Sequence, residues 1–284
     1  MSIKQFYCTG LVIPLSTSSM SMVLSILFMN TISILLFVCV YVTTYAFYAI
    51  DSVVGIEVDK VSHPEGSQFL RKHRTVMCAT ILLAIVASIS ISVLVSLPIV
   101  LLVAIAPVIA LLYSGLPMRH QTGRAFGIKR VPLLKDAFIA AGWAFLLPFT
   151  FLFLSVPMKP EHWLFAVPFF LKLFVMAIIY DFKDINSDRK SGVRTLPIMI
   201  GEGRTKTILH LLNSIATVSI LVLVGLTAIP LLGLVFIPAF FYQGLNIHLL
   251  HRDAPDWVYY VLADLEQFFW LVFVVIWGLL PGSV

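Results

Sequence analysis

Residues 80–113 read TILLAIVASISISVLVSLPIVLLVAIAPVIALLY, without one charged side chain. About 18 to 20 consecutive apolar residues suffice to cross a bilayer as a helix. The run is long enough for two crossings, and Pro98 marks the turn between them. Strands of a membrane barrel alternate apolar and polar residues, and this stretch is continuously apolar, so helices are expected. The rest of the chain agrees: of 284 residues, 60% are hydrophobic and only 12% charged, about half the charged fraction of a soluble domain. The fold class expected is therefore all-α, a polytopic membrane bundle enclosing a central cavity, with residues 1–284 forming a single transmembrane domain.

Nine spans are expected, at about 7–27, 30–51, 75–96, 98–115, 136–156, 163–181, 207–228, 230–250 and 257–280. Pro14 and the STSS that follows (16–19) are expected to shorten or break the first. The seventh and eighth meet at Pro230 in a second tight turn. Residues 1–10 carry one Lys and no small-residue cleavage site, so no cleaved leader is expected. Cys8, Cys39 and Cys78 are scattered along the apolar chain and read as small core residues, not as a disulfide framework or a metal cage.

The loops are unequal. Residues 52–74 hold four Lys/Arg, 114–135 five, 182–206 six and 249–256 one; with Lys4 these make 17 of the 19 basic residues, on one side of the membrane. The positive-inside rule makes that side cytoplasmic and sends the C-terminus outward. Acidic residues contribute little to orientation, so the 14 present need another reason. Asp51, Glu57, Asp59 and Glu65 follow the second span, and Asp181, Asp184 and Asp188 end the sixth. Asp264 and Glu266 fall early in the ninth.

On a continuing helix Asp181, Asp184 and Asp188 point along one face, within about 60° of one another. Three carboxylates on one face repel unless a cation lies between them, and oxygen-only ligation suits Mg²⁺, which prefers phosphate oxygens as its further ligands. Arg189, Lys190 and Arg194 follow at once, giving acid for metal and base for phosphate. A solvated helix end of mixed charge is the competing reading. Asp51 and Asp59 are eight residues apart, about 80° on a helix, and could face one cavity; Glu57 points away. Gly55 lies between the two aspartates.

The stretch DFKDINSDRKSGVRTLPIMIG (181–201) resembles the second aspartate-rich motif of the UbiA superfamily of intramembrane prenyltransferases, D-x-x-D-x-x-x-D followed by a basic residue and a G-x-x-T-L-P-like turn. Asp181, Asp184, Asp188, Lys190, Gly192, Arg194 and Thr195 fill its positions. The first family motif, N-D-x-x-D-x-x-x-D with a following proline, aligns on Asp59 and Pro64. Asp51 then stands at the Asn position, Ser52 at the first Asp and Gly55 at the middle Asp. The segment LYSGLPMRHQTGRAFGIKRVPLLKDAF (112–138) resembles the family's Y-S-x-x-P segment with its trailing basic residues.

The resemblance implies a Mg²⁺-dependent enzyme that binds an allylic prenyl diphosphate, ionises it and passes the prenyl group to a lipophilic or aromatic acceptor within the lipid bilayer. It assigns Asp51, Asp59, Asp181, Asp184 and Asp188 to the metal and the chemistry, and Lys129, Arg130, Lys190 and Arg194 to the diphosphate. Arg71, Lys72 and Lys135 lie in the same loops, and Tyr45, Tyr48 and Tyr113 near the motif ends could offer ring faces to a carbocation. Gly55 leaves three outcomes open: a transferase with shifted metal geometry, a terpene cyclase whose substrate attacks itself, or a non-catalytic relative. A transporter is the reading from another class, since intramembrane acids also mark ion routes. The acids sit at helix ends instead of the midplane, and no inverted repeat is present, which both weigh against it. Lys172, in mid-span, is expected to face the bundle interior, toward an acid or the acceptor, or to snorkel.

Overall fold

The computed structural model describes residues 10–59, 64–114, 131, 133–191, 193–255 and 258–278. Among them no strand forms. The helices are α1 Val12–Met29, α2 Ile34–Asp59, α3 Pro64–Lys72, α4 Arg74–Val93, α5 Leu97–Ser114, α6 Leu134–Ala144, α7 Leu146–Phe153, α8 Pro160–Ser191, α9 Leu196–Ile200, α10 Glu202–Gly225, α11 Phe236–Leu249 and α12 Glu266–Gly278. A 3₁₀ segment, Leu231–Val235, leads into α11, and a π-helical turn, Val258–Ala263, precedes α12. Among the described residues eight stretches are long and apolar enough to cross a membrane, α6 and α7 forming one of them.

The expected spans hold with two differences. The first is not broken: Pro14 falls in the first turn of α1, where its missing N–H has no intrahelical partner to lose. The hydroxyls of Thr17, Ser18 and Ser19 bond carbonyls one turn back, Ser18 to Pro14 at 2.7 Å. Asn30 then caps the helix in the left-handed conformation, its N–H returned to Ile26. The ninth is broken instead. The chain leaves the π-helical turn at Asp264 and resumes helix only at Glu266, both fully buried, so α12 is 13 residues long.

Helix α1 lies inside the bundle, against α2, α7 and α12, with 67% of its length buried. Its small hydroxyl residues Ser16, Ser18, Ser19, Ser21 and Ser25 are buried and let neighbouring backbones come close. Helix α5, by contrast, is 22% buried. Leu82 and Leu83 on α4 and Leu101 and Leu112 on α5 point outward, as lipid-facing residues do where hydrocarbon replaces water. The main apolar core joins α1, α7, α8 and α12 through Met20, Leu24, Phe151, Phe165, Phe169 and Trp270. Helix α8 is held between α6 on one side and α10 on the other.

Candidate active site

Helix α8 has 32 residues, about 48 Å at 1.5 Å per residue, and so outlasts the ~30 Å hydrocarbon core. Its last turns carry the aspartates. Asp181 is fully buried, flanked by Phe182 and Ile185, which anchor this end in an apolar cluster with Leu209, Ile247 and Tyr259. Asp184 and Asp188 are half-buried on the same side of one unbroken helix. The Val193 N–H donates to the Asp188 carbonyl at 2.9 Å, where the chain turns. Loss of water pushes the Asp188 carboxyl up to about 6. Lys135 pulls the other way, and Asp184 and Asp136 add to the rise.

Helix α6 delivers a cation to this face. Leu133 takes the left-handed conformation, and the helix that follows opens with Lys135 and Asp136. The Lys135 ammonium donates to Asp181 Oδ1 at 2.5 Å and lies 4.0 Å from Asp136 Oδ1. The charge of Asp188 acts on it as well. One lysine thus faces three carboxylates, two of them 1% exposed or less. Asp181 Oδ2 is buried without a partner among the described residues.

Across from α8, Asp51 on α2 accepts a hydrogen bond from the Ser114 hydroxyl at the end of α5, 2.8 Å. Tyr113, beside Ser114, stacks on Phe138 of α6 with ring centres 5.4 Å apart and planes 9° apart. The carboxylates of Asp51, Asp136 and Asp181 all lie within electrostatic reach of Tyr113. Tyr48, one turn before Asp51, lies against Trp143, which in turn meets Tyr180 edge-on. Tyr45 does not join this wall: its hydroxyl pairs with Thr80 on α4 at 2.8 Å.

The structure therefore brings Asp51, Asp181, Asp184 and Asp188 to one end of the bundle, with Tyr48 and Tyr113. Asp59 and Gly55 are on the same helix as Asp51, but the Asp59 side chain lies outside the described residues, as do Lys129, Arg130 and the side chain of Lys190. Arg194 is exposed in the turn after α8, and Arg71 and Lys72 are exposed at the end of α3. Lys172 belongs elsewhere. Nine residues before Asp181 it faces the opposite side of α8, fully buried, donating to Asn213 Oδ1 at 2.8 Å and Thr217 Oγ1 at 3.4 Å. Two features went unread in the sequence: Asp136, and the pairing of Lys135 with Asp181. The only trace of either was an acid–base pair, KD, opening an apolar span.

The donors here are carboxylate oxygens, which suits a hard divalent cation that takes oxygen ligands. The buried, unpartnered Asp181 Oδ2 fits such a cation too. Among the described residues no three His, Cys, Asp or Glu side chains yet gather at metal-holding distance. A cavity of about 430 Å³, lined by Phe28, His162 and the turn from Thr227 to Leu231, is at the other end of the bundle. His162 and Asp181 are 19 residues apart on α8, about 28 Å, so that cavity is not part of this site.

Residues 11–274 match the UbiA prenyltransferase family. No curated protein sequence matches the chain. Among solved structures, a UbiA homologue from Archaeoglobus fulgidus bound to GPP and Mg²⁺ superposes with a TM-score of 0.69 at 11% identity, covering 96% of this chain and 98% of that one. An apo UbiA homologue from Aeropyrum pernix K1 gives 0.66 at 14% identity, over 95% and 98%. A structure concerned with digeranylgeranylglyceryl phosphate synthase in membranes gives 0.58 at 14%, over 96% and 98%. At these identities the likeness is one of fold.

Proposed function

The chain belongs to the UbiA prenyltransferase family, and from that premise we propose that it is a Mg²⁺-dependent intramembrane prenyltransferase acting on an allylic prenyl diphosphate and a lipophilic acceptor. It is an integral, multi-pass membrane protein. The reading takes residues 1–284 as one domain with the aspartate-bearing end on the cytoplasmic side, where 17 of 19 basic residues fall.

The observation that carries the proposal is the run of Asp181, Asp184 and Asp188 along one side of α8, with Tyr113 within electrostatic reach of both Asp181 and Asp51 of α2. The A. fulgidus homologue, bound to GPP and Mg²⁺, supports the substrate class. Asp51, Asp59, Asp181, Asp184 and Asp188 would hold Mg²⁺, which when bound carries part of the charge that builds on a departing diphosphate. Lys129, Arg130, Lys190 and Arg194, on the flanking loops, are assigned to the diphosphate oxygens, with charge-assisted bonds stronger than neutral ones. Phe138, Trp143, Tyr48, Tyr113 and Tyr180 wall the apolar side of the site. They exclude water from the allylic cation left by C–O cleavage and offer it aromatic faces.

Gly55, where the family motif carries an acid, favours a second reading. A terpene cyclase would hold the same diphosphate and need no acceptor. Both readings are tested by incubating the purified protein with Mg²⁺ and prenyl diphosphates of several lengths. Diphosphate release that requires an added acceptor pool supports the transferase, and a cyclic hydrocarbon or alcohol without acceptor supports the cyclase. No release under any condition, with Asp188→Ala leaving diphosphate binding unchanged, overturns both.

A further inference from the structure

We propose that the cavity at the end of the bundle remote from the aspartates is a phospholipid site, and that it takes a head group carrying both a phosphate and a primary ammonium, as in phosphatidylethanolamine. The site is separate from the diphosphate end and does not depend on what the aspartates do.

The cavity, about 430 Å³, lies where the end of α1 (Phe28), the start of α8 (Lys159, Glu161, His162) and the turn after α10 (Thr227–Leu231) come together. That volume is within the range of about 300–1,000 Å³ of small-molecule sites. Its walls are fixed by contacts on both sides. The Lys159 N–H donates to His162 Nδ1 at 3.0 Å, and the His162 N–H donates back to the Lys159 carbonyl at 3.0 Å. The His162 ring is held in turn by Phe28 and Phe151, with ring centres 5.0 and 4.4 Å away. Across the cavity Thr227 takes the left-handed conformation (φ 56°), and the Ala228 N–H that follows donates to the Leu223 carbonyl at 2.9 Å. A non-glycine residue keeps that conformation only where its surroundings enforce it. Gly233 lets the 3₁₀ segment seat against the wall residues Val224 and Ile229; a Cβ there would lie 2.7 Å from Val224 Cγ2.

Two opposite charges stand on the rim. Lys159 and Glu161 are two residues apart, and neither forms an ion pair among the described residues. Of the 19 basic residues, 17 fall in the loops of the other face and Lys172 is buried, which leaves Lys159. The rule that orients membrane proteins supplies no reason for a lysine here. The level in the membrane is marked by Trp163, exposed in the first turn of α8, since exposed tryptophan at a helix end belongs where head groups meet hydrocarbon. Leu164 on α8, with Leu226 and Leu231 beside the facing turn, is exposed too and offers apolar surface to acyl chains. A lipid phosphate at this level meets Lys159, and a primary ammonium donates to Glu161. A choline head has no N–H to donate, and a glycerol head leaves Glu161 facing an anion without a cation between them.

The test compares head groups on one protein. Full-length protein, delipidated in detergent, is melted in mixed micelles containing phosphatidylethanolamine, phosphatidylcholine or phosphatidylglycerol with identical acyl chains. Phosphatidylethanolamine is expected to raise the melting temperature saturably, with an apparent affinity about tenfold or more above the other two. Glu161→Gln and Lys159→Met are each expected to lose about tenfold or more of that affinity, as removal of one charge-assisted hydrogen bond would. Equal stabilisation by all three lipids, stronger stabilisation by phosphatidylglycerol, or an affinity unchanged in both variants overturns the inference. Soluble phosphoethanolamine acting at the same concentration as the lipid would overturn the lipid assignment. Should either variant not fold, the comparison of lipids on the wild type and the other variant decides.

Discussion

In the interior of the bundle the Lys172 ammonium donates to Asn213 Oδ1 at 2.8 Å, and neither residue has any exposed surface. Around the pair is a polar core drawn from five helices. Thr217 takes a second bond from Lys172, and Trp270 presents its ring 5.9 Å from the ammonium. Gln243 donates to the Lys172 carbonyl at 3.1 Å, Asn246 to Glu266 at 3.3 Å, and Ser16 to Gln267. Glu266 supplies the counter-charge that reaches Lys172 through this core.

Breaking that balance is expected to unfold the bundle more easily. Glu266→Gln removes the negative member and leaves a buried ammonium uncompensated, at a cost of about 3 kcal/mol. Lys172→Met with Glu266→Gln removes both charges and is expected to recover most of the loss. Denaturant titration of the detergent-solubilised protein, read as a double-mutant cycle, checks it; additive losses would show that the two charges do not interact.

The carboxylates of α8 should differ in kind from the polar core. Asp184→Asn and Asp188→Asn are expected to lower turnover about 10²- to 10³-fold, the usual effect of removing one element of a charge-stabilising site, without lowering the melting temperature. Chelation of divalent cations by EDTA should abolish prenyl diphosphate binding in the wild type. Retained binding in EDTA would dismiss the metal-dependent reading.

Asp188 also predicts a pH effect on the metal-free protein. Its carboxyl titrates at about 6 in the folded chain, against about 4 in an unfolded one. The folded state therefore holds the proton more tightly, and Asp188 costs stability above pH 6 that is regained as pH falls through 6 toward 4. Asp188→Asn should thus melt higher than wild type at pH 7.5, and the gap should fall to about half by pH 5 and close below about pH 4. A gap that widens on acidification would reverse the assignment.

The stack of Tyr113 on Phe138 gives a test of the aromatic wall. Tyr113→Phe keeps the ring and should keep most activity. Tyr113→Leu removes the π-face and is expected to lower kcat by about tenfold, within the ~2 kcal/mol a desolvated cation–π contact can supply, while KM for the diphosphate changes little. Equal effects from both substitutions would assign the role to the hydroxyl.

Much of this was legible before any coordinates. A span that must face hydrocarbon is written as an unbroken apolar run, and three aspartates spaced to share a helix face can be read wherever that helix continues, as α8 does. What escaped was tertiary. Asp136 is one acid among apolar neighbours, and its own segment does not record that α6 lays it beside α8. Asn213, Gln243 and Asn246 look like tolerated polar residues in three separate spans; their purpose appears only once Lys172 lies among them. The break before α12 is of the same sort, set by two acids that must turn inward, where periodicity alone extends the span.

One consequence follows from the length of α8. Its apolar portion ends at Asp181, and Asp188 is about 10 Å farther along the axis. A molecule with a long hydrocarbon tail and an ionic end satisfies both levels at once only while it remains seated in a leaflet. Such a molecule meets the protein by sliding in two dimensions, so its encounter rate follows its mole fraction among the lipids. Adding inert lipid or detergent at fixed total substrate should then slow the reaction by surface dilution, and a short-tailed soluble analogue should escape that slowing.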